Sequence, residues 1–219
     1  MPSPLRARRT QVERREESER ALLSAATEVI AERGISGASF TVIGERAGTS
    51  RGLPTHHFGS KDALVARVAS DAQDRMADVL RTAAERSGHG TDEMPGFDLI
   101  RISIDTYLEL FEHPTADDRV LIVTWGATFP SESSIEGMLD ADRRAYEGWA
   151  DLIGRGQRDG SIRGDVDPAA SAVVLHGMLR GVASLLLTES DYKDMTRVRA
   201  TVDKWIEGAL ASEKSVGHA

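Results

Sequence analysis

The residues best suited to chemistry lie in one run, TSRGLPTHHFGSKDAL, residues 49–64. It holds hydroxyls, a guanidinium, two imidazoles and an ammonium, separated by glycines. That set suits hydrogen bonding to a polyanion better than bond-making. Arg51 can offer a bidentate donor pair to guanine, and Thr55 and His56 can bond to bases or phosphates. Gly52 lets two backbones come close. Ser60 and Lys61 stand at a helix N-terminus, where free N–H groups favour a phosphate and the lysine adds a point charge. Metal binding fits poorly: His56 and His57 point ~100° apart on a helix, and His89, His113 and His176 lack ligand spacing. There is no cysteine, hence no thiolate site and no cysteine nucleophile.

Catalytic patterns are equally poor. The serines form no G-x-S-x-G elbow, and the glycines of RGISGAS and GRGQRDGSIRG match no phosphate loop. Asp117 and Asp118 head a helix, where they suit its dipole. The expectation is a protein that is not an enzyme, with no catalytic residue, no metal and no cofactor.

Charge supports a polyanion at one end only. The chain carries a net −8, yet residues 1–65 hold ten Lys/Arg against eight Asp/Glu. The front is therefore slightly positive and the remainder strongly negative. Hydrophobic residues at 40% and charged residues at 28% are ordinary for a globular chain. The basic N-terminus, MPSPLRARRTQVERREESER, lacks the apolar run of a signal peptide. No uninterrupted apolar stretch reaches the ~18 residues of a membrane span. The expectation is a cytoplasmic protein with no membrane partner.

The elements that must position these residues read almost entirely as helix. ESERALLSAATEVIAERG places Leu22, Ala26 and Val29 on one stripe and stops at Gly34. SFTVIGERAG gives a short second helix capped by Ser39. A third runs from about Ser50 to Phe58, with Ser50 as its cap, and Gly59 breaks it. Ser60 caps a fourth, striped by Leu64, Val68, Ala72, Met76 and Val79. Residues 86–96 are the least structured internal stretch. A fifth helix runs to His113, before Pro114, with Arg101 and Asp105 four apart as a solvated ion pair. A sixth spans Asp117 to about Phe129. The seventh carries Tyr146, Trp149 and Ile153 and ends near Gly160. The eighth starts at Asp167–Pro168, a strong start signal, and is apolar around much of its girth. The last carries Val202, Trp205 and Ile206. No strand pattern appears, so the fold class is all-α with about nine helices.

Two short helices joined by AGTS have the shape of a helix-turn-helix, whose second helix enters the major groove N-terminus first. Here the chain resembles the tetracycline-repressor (TetR) family of transcriptional regulators. The carrying residues are AAxxVIAERG, FTVIGERAGTS and SRGxxxxHFGSKDAL, roughly residues 15–70. The resemblance implies DNA contacts from Ser39, Thr41, Thr49, Ser50, Arg51, Leu53, Thr55, His56 and Lys61. Arg6, Arg8 and Arg9 in the arm could reach the minor groove. Two positions depart from the family: a hydroxyl and an imidazole, Thr55 and His56, stand where it commonly has tyrosine, and Pro54 replaces a bulky apolar residue.

The resemblance further implies a homodimer, a near-palindromic double-stranded operator and a small-molecule effector that releases the protein from it. The dimer interface would use Val174, Met178, Val182, Leu185, Val202, Trp205 and Ile206 of the last two helices. The pocket would draw on Tyr107, Phe111, Trp125, Phe129, Met138, Tyr146, Trp149 and His176. The expected organisation is a basic arm over 1–14 and a three-helix DNA-binding head over 15–62. A helical ligand-binding and dimerisation domain over 63–212 and a tail over 213–219 complete it. The function so implied is a DNA-binding regulator, a repressor. The alternatives are a helical small-molecule binder without operator binding, or an activator of the same build.

Overall fold

The computed structural model describes residues 10–86, 93–127, 136–188 and 194–213, with the side chains of 127, 136–139 and 141 excepted. Nine helices occur among them: α1 Gln11–Gly37, α2 Phe40–Arg46, α3 Leu53–Phe58, α4 Lys61–Arg86, α5 Gly96–Leu110, α6 Ala116–Ala127, α7 Glu136–Asp159, α8 Pro168–Leu187 and α9 Met195–Leu210. The sole strand-like feature among the described residues is an isolated bridge, Ile162 to Ala211.

The helix ends follow from local chemistry. α1 opens on a capping box: Thr10 Oγ1 accepts from the Glu13 N–H and Glu13 returns the bond to the Thr10 N–H. Its start therefore lies ahead of the expected head boundary at 15. Gly34 interrupts it at φ 69°, ψ 173°, a left-handed backbone that suits glycine. α8 is capped by Asp167, which accepts from the Ala169 and Ala170 N–H groups, with Pro168 in its first turn.

One apolar core runs through the whole chain. Leu22, Val29 and Ile30 of α1 meet Ile43 of α2 and Leu64 and Val68 of α4, and the same cluster continues through Ile100, Leu108, Val120, Ile153, Leu179 and Ile206. The expected division at 62/63 falls in the first turn of α4, so head and body share a helix. α1 also packs on α6, which joins head and body directly.

α5 and α7 approach at two glycines. A Cβ added at Gly96 would lie 2.4 Å from the Gly156 nitrogen. Asp159 locks this crossing by accepting from the Gly96 N–H at 2.8 Å and the Ser161 N–H at 2.9 Å. Burial alone would raise the Asp159 pKa, but these bonds and nearby Arg155 hold it below the usual carboxylate range. α9 is tied to α5 by Arg101 to Asp203 and by Arg199 to Asp105 and Glu112. The sequence spacing suggested that Arg101 and Asp105 pair with each other; instead each finds a partner on α9, because both sit on the face that α9 covers.

Candidate nucleic-acid interface and buried cavity

α2 and α3 cross at Gly44. A Cβ there would lie 3.4 Å from the Ser50 carbonyl oxygen and 3.6 Å from Pro54 Cγ, so a larger residue would push α3 away. The intervening turn uses Gly48 at φ 65°, and the Thr49 N–H donates to the Gly44 carbonyl at 2.9 Å. Ser39 caps α2 by accepting from the Val42 N–H. Arg46 pins α2 to α1 through Glu28 at 2.9 Å and Glu32 at 2.7 Å. The Glu32 and Glu28 hydrogen bonds push its pKa still higher. Arg46 is therefore a strut of the head.

α3 begins at Leu53, with Gly52 in the cap position, and not at Ser50 as expected. The cause is Pro54: in the first turn of a short helix it forfeits no helical bond, whereas a helix capped at Ser50 would need its N–H. Pro54 is fully buried, and Leu53 and Phe58 pack on the core. Pro54 is thus an anchor for α3.

The outer face then carries the polar residues. Thr41, Ser50, Arg51, Gly52, Thr55 and His56 are all exposed, while Ser39 sits at the N-terminus of α2 beside them. Thr49 is half-buried, and its hydroxyl donates back to the Gly44 carbonyl. His57 turns toward Phe58, with ring centroids 6.1 Å apart. Arg51 reaches Glu45 at 3.3 Å, with its side chain 76% exposed. Such an exposed pair is worth little and yields readily to a stronger anion. Lys61 is half-buried and donates to the Ser36 carbonyl, so its ammonium is partly engaged within the head. Arg6, Arg8 and Arg9 lie outside the described residues.

The second feature is a partly open cavity of about 520 Å³ bordered by α4, α5, α6, α7 and α8, within the range of small-molecule sites. Of the residues expected to line it, Tyr107, Trp149 and His176 do. Phe111 is buried against Tyr107, at 5.0 Å between centroids, and faces the core. Tyr146 stands behind His176, ring to ring at 6.3 Å. Trp125 stacks with Arg180, whose Cζ lies 5.6 Å from the ring centroid. Phe129 and the Met138 side chain fall outside the described residues.

Sequence reasoning missed the polar heart of this cavity. Arg180 is 4% exposed. It donates to the Leu121 carbonyl of α6 at 3.2 Å and to the Asp142 carboxylate of α7. Gln73 of α4 donates to the same carboxylate. Burial lowers the Arg180 pKa, with Asp142 and Tyr107 opposing. Burial likewise pushes the Tyr107 hydroxyl well above the usual phenol range. His176 Nε2 is buried 3.9 Å from Asp142 Oδ1 and makes no hydrogen bond among the described residues. The signal was present in the sequence: Arg180 interrupts the apolar run SAVVLHGMLRGVASLLL, and an arginine in a buried helix is there for a partner.

The outer faces of α8 and α9 leave Val173, Val174, Leu185 and Trp205 exposed, each by 58% or more. Met178 and Val182 are half-buried beside them. Val202 and Ile206, expected at the dimer interface, are instead 4% exposed. They lie about 60° and 100° around α9 from Trp205, turned into the chain's own core.

Comparison with known proteins places the head and the whole chain. Residues 22–68 match the family model of bacterial regulatory proteins, tetR family. The HTH-type transcriptional regulator PksA of Bacillus subtilis is 23% identical over 200 residues, covering 90% of this chain and 92% of that protein. The HTH-type transcriptional repressor Rv3405c of Mycobacterium tuberculosis is 35% identical over 94 residues, covering 39% of this chain and 50% of that protein. A solved TetR-family transcriptional regulator from Pectobacterium atrosepticum has a TM-score of 0.67 at 25% identity, covering 93% of this chain and 99% of that one.

Proposed function

Because the chain belongs to the tetR family of bacterial regulatory proteins, we propose that it is a sequence-specific repressor that a small molecule releases from a near-palindromic operator. The observation that carries this reading is the outer face of α2 and α3. Thr55 and His56 are exposed there on a helix anchored from behind by Pro54 and Phe58, with Ser50 and Arg51 exposed in the turn that leads into it. Arg51 reads guanine; Thr41, Thr55 and His56 take bases or phosphates; Ser39 and Thr49 position the backbone against the duplex. Leu53 supplies an apolar edge, and Lys61 a charge near the sugar-phosphate chain.

Two heads must be held at a fixed spacing to meet two half-sites. The exposed apolar residues Val174, Leu185 and Trp205, with Met178 and Val182, make a surface that a second copy would cover. α8 is long and apolar enough to cross a membrane, but its inward Arg180 and outward valines fit a helix packed on both sides by protein.

The cavity supplies the regulation. α4 lines it with Gln73, Met76 and Leu80 and begins in the head, so a ligand that shifts α4 changes where the head points. α6 is linked to the same wall through the Leu121 carbonyl and to α4 by Arg75–Asp117 at 2.6 Å. An effector that binds the released conformation more tightly weakens operator binding by that difference in affinity.

The test is a gel shift of the purified protein on a duplex from its own promoter region across a salt series. Affinity falls steeply as salt rises if phosphates are neutralised by the head. A salt-independent shift, or no preference over unrelated duplex, overturns the DNA role. Sedimentation velocity reads the assembly, and a monomer at all concentrations overturns the dimer.

A further inference from the structure

We propose that the effector is an amphipathic carboxylate: an apolar body whose acidic head is received between α5 and α8. This rests on the reading of the cavity as the effector site.

Two pairs of residues spaced four apart face each other there, Ser103 and Tyr107 on α5 and His176 and Arg180 on α8. Residues four apart on a helix share a face, so all four present polar atoms to one end of the cavity. Each of them can donate a hydrogen bond. The Ser103 and Tyr107 hydroxyls make no side-chain hydrogen bond among the described residues. Arg180 uses two of its guanidinium N–H groups, on the Leu121 carbonyl and Asp142, and has others left. His176 Nε2 is buried without a hydrogen-bond partner. All four groups can donate, Arg180 only so, and the nearest carboxylate, Asp142, is already engaged by Arg180 and Gln73; a ligand that brings its own acceptor can therefore bond to all of them.

The charge of the walls points the same way. Arg180 is balanced by Asp142, and Arg81 by Asp78 and Glu85. Arg144 and Arg155 also line the cavity, and neither has a carboxylate within ion-pair distance among the described residues. Arg144 donates to Ser70 Oγ at 3.3 Å and Arg155 to the Met94 carbonyl at 2.6 Å. The opposing carboxylate among the lining residues is Asp74; it and Arg144 are both exposed, and Arg155 has Asp159 nearby. A cation entering this space would lose its water and meet further positive charge, whereas a carboxylate exchanges water for charge-assisted bonds. The rest of the wall, Met76, Leu80, Leu99, Trp149 and Leu152, accepts an apolar chain.

The test uses N-phenyl-1-naphthylamine, an uncharged fluorescent apolar probe, displaced from the full-length protein by three molecules of one chain length: decanoate, decanol and decylammonium. Decanoate displaces the probe at a concentration about tenfold lower than decylammonium, the size expected of hydrogen bonds to a charged group, with decanol between them. Tyr107→Phe and Ser103→Ala each remove one hydroxyl; they weaken decanoate and leave the affinity for the probe itself unchanged. Decylammonium displacing as well as decanoate, or variants that leave decanoate unaffected, overturns the acidic head group while the cavity remains an effector site. Gly148→Trp separates the two failures. A Cβ at Gly148 has open space around it, so the indole can fill the cavity without a backbone clash, and probe binding is lost. A probe that does not bind the parent protein, or that binds Gly148→Trp equally well, overturns the effector cavity and with it the proposal.

Discussion

In the head, Thr55 and His56 stand exposed on a short helix and Arg51 in the turn before it, and the one ion pair among them, Arg51 to Glu45, is solvated. In the body, Arg180, Tyr107 and Ser103 are buried, and Arg180 is bound to Asp142 within the fold. The two regions use the same residue types for opposite ends. A polar group that must meet a duplex can be left in water at no cost, so the head keeps its functional residues apart from its stabilising ones. A charged group inside the fold that must meet a small molecule has lost most of its water, so Arg180 must be partly satisfied by the fold itself. Substitutions in the body should therefore damage folding and function together, whereas those on the outer face of the head should damage function alone.

The largest expected effect tests the body. Arg180→Met keeps the length of the side chain but strands Asp142 without its charge partner. Breaking a buried pair in this way costs about 3–5 kcal/mol when both groups are enclosed. Asp142 is 20% exposed, so about 3 kcal/mol is expected, read as a lowered urea midpoint with an unchanged slope. A loss within error would mean that Asp142 finds water, and that the cavity is wetter than the contrast with the head supposes. Next comes Gly96→Ala. Its new Cβ would meet backbone atoms of Gly156 and Leu152 at 2.4 to 2.8 Å. Because backbone cannot swing aside, the expected cost is about 2 kcal/mol, again by urea titration. No loss would show that α5 and α7 can part locally, and that the cavity they flank is pliable.

The same contrast explains what could be read from the sequence. The head was legible because its parts are contiguous. Phe40 to Lys61 contains both helices, the turn glycine and the residues offered to DNA in one stretch of chain. What was misplaced there was the start of α3: Ser50 suits a cap, but Pro54 is the buried anchor of a shorter helix that begins at Leu53. The body's helices were legible from periodicity and caps, within a few residues at most ends. Its cavity was legible only in part, since five helices converge to form it. Tyr107 and Trp149 differ from Trp125 and Tyr146 only in which way a helix is rotated toward the cavity, and a single sequence does not carry that angle. The same rotation hid the interior place of Val202 and Ile206 and the interhelical partners of Arg101 and Asp105.

On the outer face of the head, Arg51→Ala should leave the urea midpoint unchanged, since the side chain is 76% exposed and its partner Glu45 is solvated. Specific operator binding should weaken by about 1–3 kcal/mol with relaxed base preference, the usual cost of removing a bidentate reader. Equal binding by the variant would remove Arg51 from the reading set. A lowered midpoint would break the contrast itself, by showing that a functional residue of the head also stabilises it.

Ser39 is where the two behaviours should meet, and it gives the finest test. Its hydroxyl caps α2 by accepting from the Val42 N–H at 3.3 Å, and it also lies at the edge of the face offered to DNA. Ser39→Ala removes both roles, with an expected stability loss of about 1 kcal/mol from the cap. Ser39→Asp restores the cap, because a carboxylate at this position also accepts from the first-turn N–H groups and suits the helix dipole. The same carboxylate would repel a phosphate. Stability should therefore recover in the aspartate variant while operator binding stays weak, measured by urea titration and gel shift on the same preparations. If binding recovers with stability, Ser39 acts on DNA only by holding α2 in place. The separation between functional and stabilising residues would then extend to the rim of the interface.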